Sequence, residues 1–354
     1  MVRVSYTIGC ISAFMIMTQL CFAAESLTVG TWGGPYEEAQ DVALLQPFAK
    51  SSGITINKVQ YTGGLDIFND KEQPDLLDML EEDAIMACES GLLSPLPDGY
   101  INTILDEAGD DFIEGAITDC AIAHSTFSTI IAFDERAFPD EKPNRIQDFF
   151  NIDKFPGKRA VQKNPAALFE WALMAEGVPI SQIYDLLSTE RGMRLALKRM
   201  DSLREHLIWW TAPEESVELL KNQAVVMSSG YNGRFFDARA RNIPLNVIWD
   251  GQIIDRSVWA APSRQSSSLP TALAFVRFVT QARRMGNIAE LIPYGPTRKS
   301  AFGFIGRHPK YGMNMIPQLP TAPRHLDVSL IRDTRWYART TEFRRNNFER
   351  WLER

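Results

Sequence analysis

Residues 224–237 read AVVMSSGYNGRFFD, and the way this stretch is parsed decides the fold. Ala224, Val225, Val226 and Met227 form a short apolar run of strand type, Ser228, Ser229 and Gly230 make a turn, and Tyr231-Asn232-Gly233-Arg234 opens a helix that runs to about Arg241. A second strand, Leu245 to Trp249, follows at once and ends in Trp249-Asp250-Gly251, which closes a β-α-β unit. Such units build α/β folds, in which ligands bind beyond the carboxyl ends of strands, where helix N-termini present free N–H groups. An aromatic ring, an amide and a guanidinium are gathered at such an end here, and all three are tools of binding.

Working outward, the N-terminal part repeats the pattern. Ser26 to Gly30 is a strand, Thr31-Trp32-Gly33-Gly34-Pro35-Tyr36 is a tight turn, Tyr36 to Lys50 has helical spacing, and Gly53 to Val59 alternates as a strand. Pro74 to Leu80 forms a third strand that runs into Glu81-Glu82-Asp83, a solvated helix start by its charge. Further strands are expected at Phe127 to Phe133, after Lys154 to Val161, at Leu207 to Trp210 and at Ser257 to Pro262. Helices are expected at 166–176, 181–187, 190–205, 214–221, 269–284 and 334–353. Trp32, Trp209, Trp210, Tyr231, Trp249 and Trp259 fall at strand ends. Any one of them is an ordinary core residue, but their shared placement points to an aromatic-lined site.

The 354 residues suit two domains or one large α/β fold. One basic residue, Arg3, precedes an apolar run from Ile8 to Phe22 and then Ala23-Ala24-Glu25, the pattern of a secretory signal peptide cleaved after Ala23 or Ala24. Leu20 ahead of Cys21 argues against lipidation. The mature chain then holds 36 basic against 44 acidic residues, a charge of −8 that does not suit nucleic-acid binding. Two cysteines remain, Cys88 and Cys120, and an oxidising compartment favours a bridge between them over two separate buried thiols.

Catalytic and metal readings find little support. His124, His206, His308 and His325 lack metal-ligand spacing, and no P-loop or dinucleotide fingerprint follows a strand, so no cofactor is expected. Ser228-Ser229-Gly230 lacks the glycine of a nucleophile elbow and has no assignable histidine, which leaves a periplasmic hydrolase as the second class. Aromatic faces, one arginine and several carboxylates suit a small amine-bearing ion held between two walls.

Trp32-Gly33-Gly34-Pro35-Tyr36, Cys88-Glu89-Ser90-Gly91-Leu92-Leu93, Phe155-Pro156-Gly157-Lys158-Arg159, Trp209-Trp210, Tyr231-Asn232-Gly233-Arg234, Val247-Ile248-Trp249-Asp250-Gly251 and Pro293-Tyr294-Gly295-Pro296, taken in order, resemble the bacterial extracellular solute-binding proteins of ABC transporters, nearest the spermidine/putrescine-binding type. The resemblance implies a two-lobe periplasmic-binding fold of the second type. Lobe one would be 25–126 with 263–300 and lobe two 127–262, with 301–354 packing on both and hinge strands at Phe127 to Asp134 and Asp255 to Pro262. It also implies a periplasmic location, an inner-membrane ABC permease as partner and a monomer. Trp32, Tyr36, Trp210, Tyr231 and Tyr294 become cleft aromatics, and Glu81, Glu82 and Asp255 the candidate partners of an amine. Two acidic positions of polyamine binders correspond here to Asn164 with Ala167 and to Ser257. Arg234 adds a cation, which in a closed cleft disfavours a di- or tri-cation and suits a ligand with its own carboxylate. The expected solute is a zwitterionic ω-amino acid or an opine-like compound, with putrescine or spermidine as the alternative, its charge then met by the Glu81 to Asp83 cluster.

Overall fold

A computed structural model describes residues 26–265 and 267–354, so the expected leader lies outside the described residues. Its strands are β1 (Ser26–Thr31), β2 (Thr55–Gln60), β3 (Leu76–Leu80), β4 (Ala121–Asp134), β5 (Arg159–Gln162), β6 (Leu207–Trp210), β7 (Met227–Tyr231), β8 (Leu245–Ala260), β9 (Gly295–Pro296) and β10 (Leu330–Ile331). They form a sheet in the order β2-β1-β3-β8-β4-β7-β5-β6, with β9 on β4 and β10 on β8. The β-α-β reading holds in direction. β7 and β8 are both antiparallel to β4 and so parallel to each other, with β4 between them.

Two corrections concern the opening stretch. Ser228-Ser229-Gly230 is strand interior, not a turn: these residues pair with Ala132, Ile131 and Ile130 of β4. The chain turns one step later, between Tyr231 and the helix Asn232–Ala240. Small side chains fit there because Phe235 and Ser216 press on the strand, and a Cβ at Gly230 would lie 2.6 Å from the Phe235 ring. The strands expected at 245–249 and 257–262 are likewise one strand, β8. Trp249-Asp250-Gly251 reads as a turn but forms an outward excursion. In β4 the step from Thr129 to Ile131 spans Ile253 back to Ile248. Gly251 takes a φ of +71°, its N–H donates to Val328 O (2.9 Å), and Asp250 accepts from the Ile146 N–H (2.8 Å).

β4 and β8 are the two strands that run through both halves of the molecule. At one end Leu77 to Leu80 of β3 pair with Ala260 to Ser257, and at the other Thr129 to Phe133 pair with β7. The two register shifts in the β4–β8 ladder flank the middle of this crossing. One half buries Leu27, Val29, Phe48, Trp259 and Phe275; the other buries Phe149, Phe155, Phe169, Trp171 and Met193. The C-terminal helix Thr334–Leu352 packs Phe348 and Trp351 into the second core and also lies against the helix Glu81–Glu89 of the first half. The helix expected at 269–284 is two, Leu269–Val279 and Ala282–Leu291. Cys88 and Cys120 are bonded, with Cα atoms 6.0 Å apart.

Candidate functional site

The ends of β1, β3 and β7 and the middle of β4 and β8 surround a hollow of about 590 Å³ between the two halves. Its second-half wall is built by the turn after β7. Asn232 is buried and pins that turn from two sides: its Oδ1 accepts from the Ser128 N–H (3.0 Å) and its Nδ2 donates to Pro293 O (2.7 Å). Tyr231 therefore points into the hollow, edge-on to Phe127 at 5.8 Å. Gly233 lets the Tyr294 ring close in, since a Cβ there would sit 2.8 Å from Cε1. Arg234 reaches across to the N-terminal turn after β1, where a Cβ on Gly34 (φ +63°) would be 2.9 Å from Nη1. Among the described residues no carboxylate lies within ion-pair distance of this guanidinium.

The first-half wall is aromatic with an acid beneath it. Trp32 meets Tyr61 edge-on at 4.8 Å and lies against Gly63. Asp83 accepts from the Gly64 N–H (2.9 Å) and the Tyr61 hydroxyl (3.2 Å), and among the described residues no cation lies within ion-pair distance of it. Burial, with Glu82 next to it, pushes its carboxyl up to about 6, and these two hydrogen bonds offset the shift only in part. Tyr36 presents its ring to the hollow, 5.0 Å from Tyr294, while its hydroxyl donates to the buried Asp78 (2.7 Å). Asp78 also accepts from Gln40 Nε2 (2.6 Å) and lies 3.2 Å from His124 Nε2.

A third group forms the floor. Arg332 Nε is 2.6 Å from Asp255 Oδ1 and its Nη1 is 3.2 Å from Glu82 Oε2. Burial raises the Asp255 carboxyl to about 7 even with Arg332 beside it.

Of the residues singled out from sequence, Trp32, Tyr36, Glu82, Tyr231, Arg234, Asp255 and Tyr294 border this hollow. Glu81 and Trp210 do not. Glu81 points away and pairs with Arg256 (2.9 Å), and Trp210 is 1% exposed behind Tyr231. Trp210 Nε1 donates to Ser229 Oγ (3.2 Å), so that hydroxyl is a buried acceptor within a strand, with no histidine partner among the described residues. Asn164 and Ser257, the positions that depart from the polyamine pattern, do line the hollow. Ala167 is buried at φ +67° where the next helix starts. Tyr61, Phe127 and Arg332 are lining residues that the sequence reading did not single out as ligand contacts, and Asp83 entered it only within the acidic cluster 81–83 of the polyamine alternative. The run Glu81-Glu82-Asp83 held a signal for Asp83, because a helix buries one face of such a run and exposes the others.

An interlobe cleft, two strands crossing between the halves and an aromatic, mixed-charge lining together define a solute-binding protein with the periplasmic-binding fold of type II. The chain belongs to the bacterial extracellular solute-binding protein family, whose model matches residues 43–311. It is 29% identical over 346 residues to a gamma-aminobutyric acid-binding protein of Pseudomonas aeruginosa, covering 95% of each chain. An ABC transporter substrate-binding protein from Bradyrhizobium japonicum USDA 110 is similar in structure, with TM-score 0.82 and 25% identity over 93% of this chain and 99% of that one. The fold is also that of the PBP MotA from A. tumefaciens B6, solved in complex with glucopine (TM-score 0.82, 24% identity, 92% and 99% covered).

Proposed function

We propose that this chain captures a zwitterionic ω-amino acid or opine-like solute in its interlobe cleft and delivers it unchanged to an inner-membrane ABC permease. The observation that carries this is a pair of unmatched charges in one hollow: Arg234 has no carboxylate partner among the described residues, and Asp83 has no cationic one. The ligand carboxylate binds Arg234 through the planar fork of its guanidinium, and the ammonium group sits on Asp83 between the Trp32, Tyr61 and Tyr36 rings. The volume lies within the roughly 300–1,000 Å³ typical of small-molecule sites. The gamma-aminobutyric acid-binding relative, whose named ligand is an ω-amino acid, supports the same class. A polyamine is not favoured, because Asn164 and Ser257 supply no charge and Arg234 repels a cation.

The rest of this reading follows the family. The protein works as a monomer in the periplasm after cleavage of its leader, with lobe one at 25–126 and 263–300, lobe two at 127–262 and 301–354 spanning both. It performs no catalysis, so a bound solute is recovered intact. Calorimetry of the mature protein against γ-aminobutyrate, longer ω-amino acids and putrescine tests the proposal. Arg234→Gln is expected to weaken γ-aminobutyrate roughly 30-fold or more, the scale for unpairing a desolvated charge. Tight putrescine binding that Arg234→Gln leaves unchanged would overturn it.

A further inference from the structure

Arg332 reaches the cleft from the C-terminal segment, beyond every other described lining residue in the chain. β10 lies parallel to β8 with Leu330 opposite Ile253 and Ile331 opposite Ile254, and the Arg332 N–H donates to Ile254 O (3.0 Å). This register sets residue 332 beside Asp255. Its guanidinium is held over the Tyr337 ring at 4.1 Å and touches both Asp255 and Glu82. Four carboxylates border the hollow, Glu82, Asp83, Glu214 and Asp255, against the two guanidiniums Arg234 and Arg332. Arg332 occupies two of the four.

We propose that Arg332 is the specificity-determining residue that makes the cleft refuse a second ammonium group, by cancelling Glu82 and Asp255, which would otherwise offer one a site. The proposal rests on the zwitterion reading and adds the residue that enforces it. The physics separates two ligand classes. A zwitterion has no net charge, so removing a fixed positive charge helps its ammonium end and harms its carboxylate end. A diamine gains at both ends. Arg332 therefore acts on the ratio of affinities more than on the affinity for the zwitterion, as repulsive specificity elements do.

The experiment compares putrescine and γ-aminobutyrate Kd values by calorimetry for the wild-type chain, Arg332→Gln, Arg332→Met and Arg332→Lys, with melting curves as a check of folding. Met keeps an apolar stem against Tyr337 should Gln fail to fold. The neutral variants are expected to shift the putrescine-to-γ-aminobutyrate affinity ratio at least tenfold toward putrescine, and Lys, which keeps the charge, is expected to hold the wild-type ratio. An unchanged ratio in a folded neutral variant, the same shift in Arg332→Lys, or failure of both neutral variants to fold would assign Arg332 a purely structural role and overturn the proposal. Failure of the zwitterion reading shows separately, as a wild-type protein that binds no ω-amino acid.

Discussion

Replacing Gly233 by alanine sets two effects of known size against each other. The residue lies in the first turn of the helix Asn232–Ala240, where exchanging Gly for Ala ordinarily stabilises by up to about 1 kcal/mol. Here the added methyl would meet Tyr294 Cε1 at 2.8 Å, Tyr294 Oη at 3.0 Å and Ile292 Cδ1 at 3.0 Å. The ring has no easy retreat. Tyr36 stands 5.0 Å away, Phe127 stands 5.8 Å away, and the Tyr294 N–H is tied to Ile292 O at 2.7 Å. Overpacking of this kind costs about 1–3 kcal/mol, so the net effect on stability is between neutral and about 3 kcal/mol unfavourable. Binding suffers separately, because Tyr294 is part of the cleft wall. A displaced Tyr294 disturbs Tyr36, which it packs against at 5.0 Å, and loss of that ring from the ammonium group costs roughly 0.5–2 kcal/mol, or about 2- to 30-fold in Kd. Thermal melts with calorimetry against γ-aminobutyrate check both halves. A Gly233→Ala protein that melts higher and binds within twofold of wild type would refute the claim that Gly233 exists to admit Tyr294.

Two further expectations concern buried acids. Asp78→Ala removes the acceptor of Tyr36 Oη and Gln40 Nε2 and the neighbour of His124. Stranding these groups is expected to lower unfolding free energy by about 3–5 kcal/mol in urea titrations, and loss of less than 1 kcal/mol would count against the network as a support for Tyr36. The Asp83 carboxyl titrates near 6 in the folded chain, above its ordinary 3.8, so its stabilising contribution is complete below about pH 4 and is lost as pH rises through about 6. Ligand binding runs the other way, since an ammonium group needs the ionised acid: γ-aminobutyrate affinity should fall roughly tenfold from pH 7 to pH 5, and Asp83→Asn should bind weakly with little pH dependence. An unchanged slope in Asp83→Asn would place the ammonium elsewhere.

Much of the architecture was legible because it is written in short-range patterns. Apolar alternation marked Thr55–Gln60, a short apolar run ending in two aromatics marked Leu207–Trp210, helical spacing marked Glu215–Lys221 and Thr334–Leu352, and all four lie close to where they were expected. Local signals failed where tertiary packing overrode them. Ser228-Ser229-Gly230 has the composition of a turn, yet Phe235 and β4 leave room only for small residues in a strand at that point. Trp249-Asp250-Gly251 has the composition of a hairpin end, yet the long partner β4 carries the strand through it.

The site divides along the same line. The sequence by itself determined the residue types that line the hollow, because Trp32, Tyr36, Tyr231, Arg234 and Tyr294 sit at strand ends, in loops or in the first turn of a helix, where direction follows from neighbours a few residues away. Only the tertiary structure decided which acids are free. Glu81 and Glu82 are adjacent in sequence, yet one pairs with Arg256 and the other with Arg332, whereas Asp83, one residue on, turns inward to Tyr61 and makes no ion pair among the described residues. A carboxylate's availability depends on which charge lies within a few ångströms of it, and Arg332 is 250 residues from Glu82 along the chain. No local pattern carries that distance; the parallel register of β10 on β8 does.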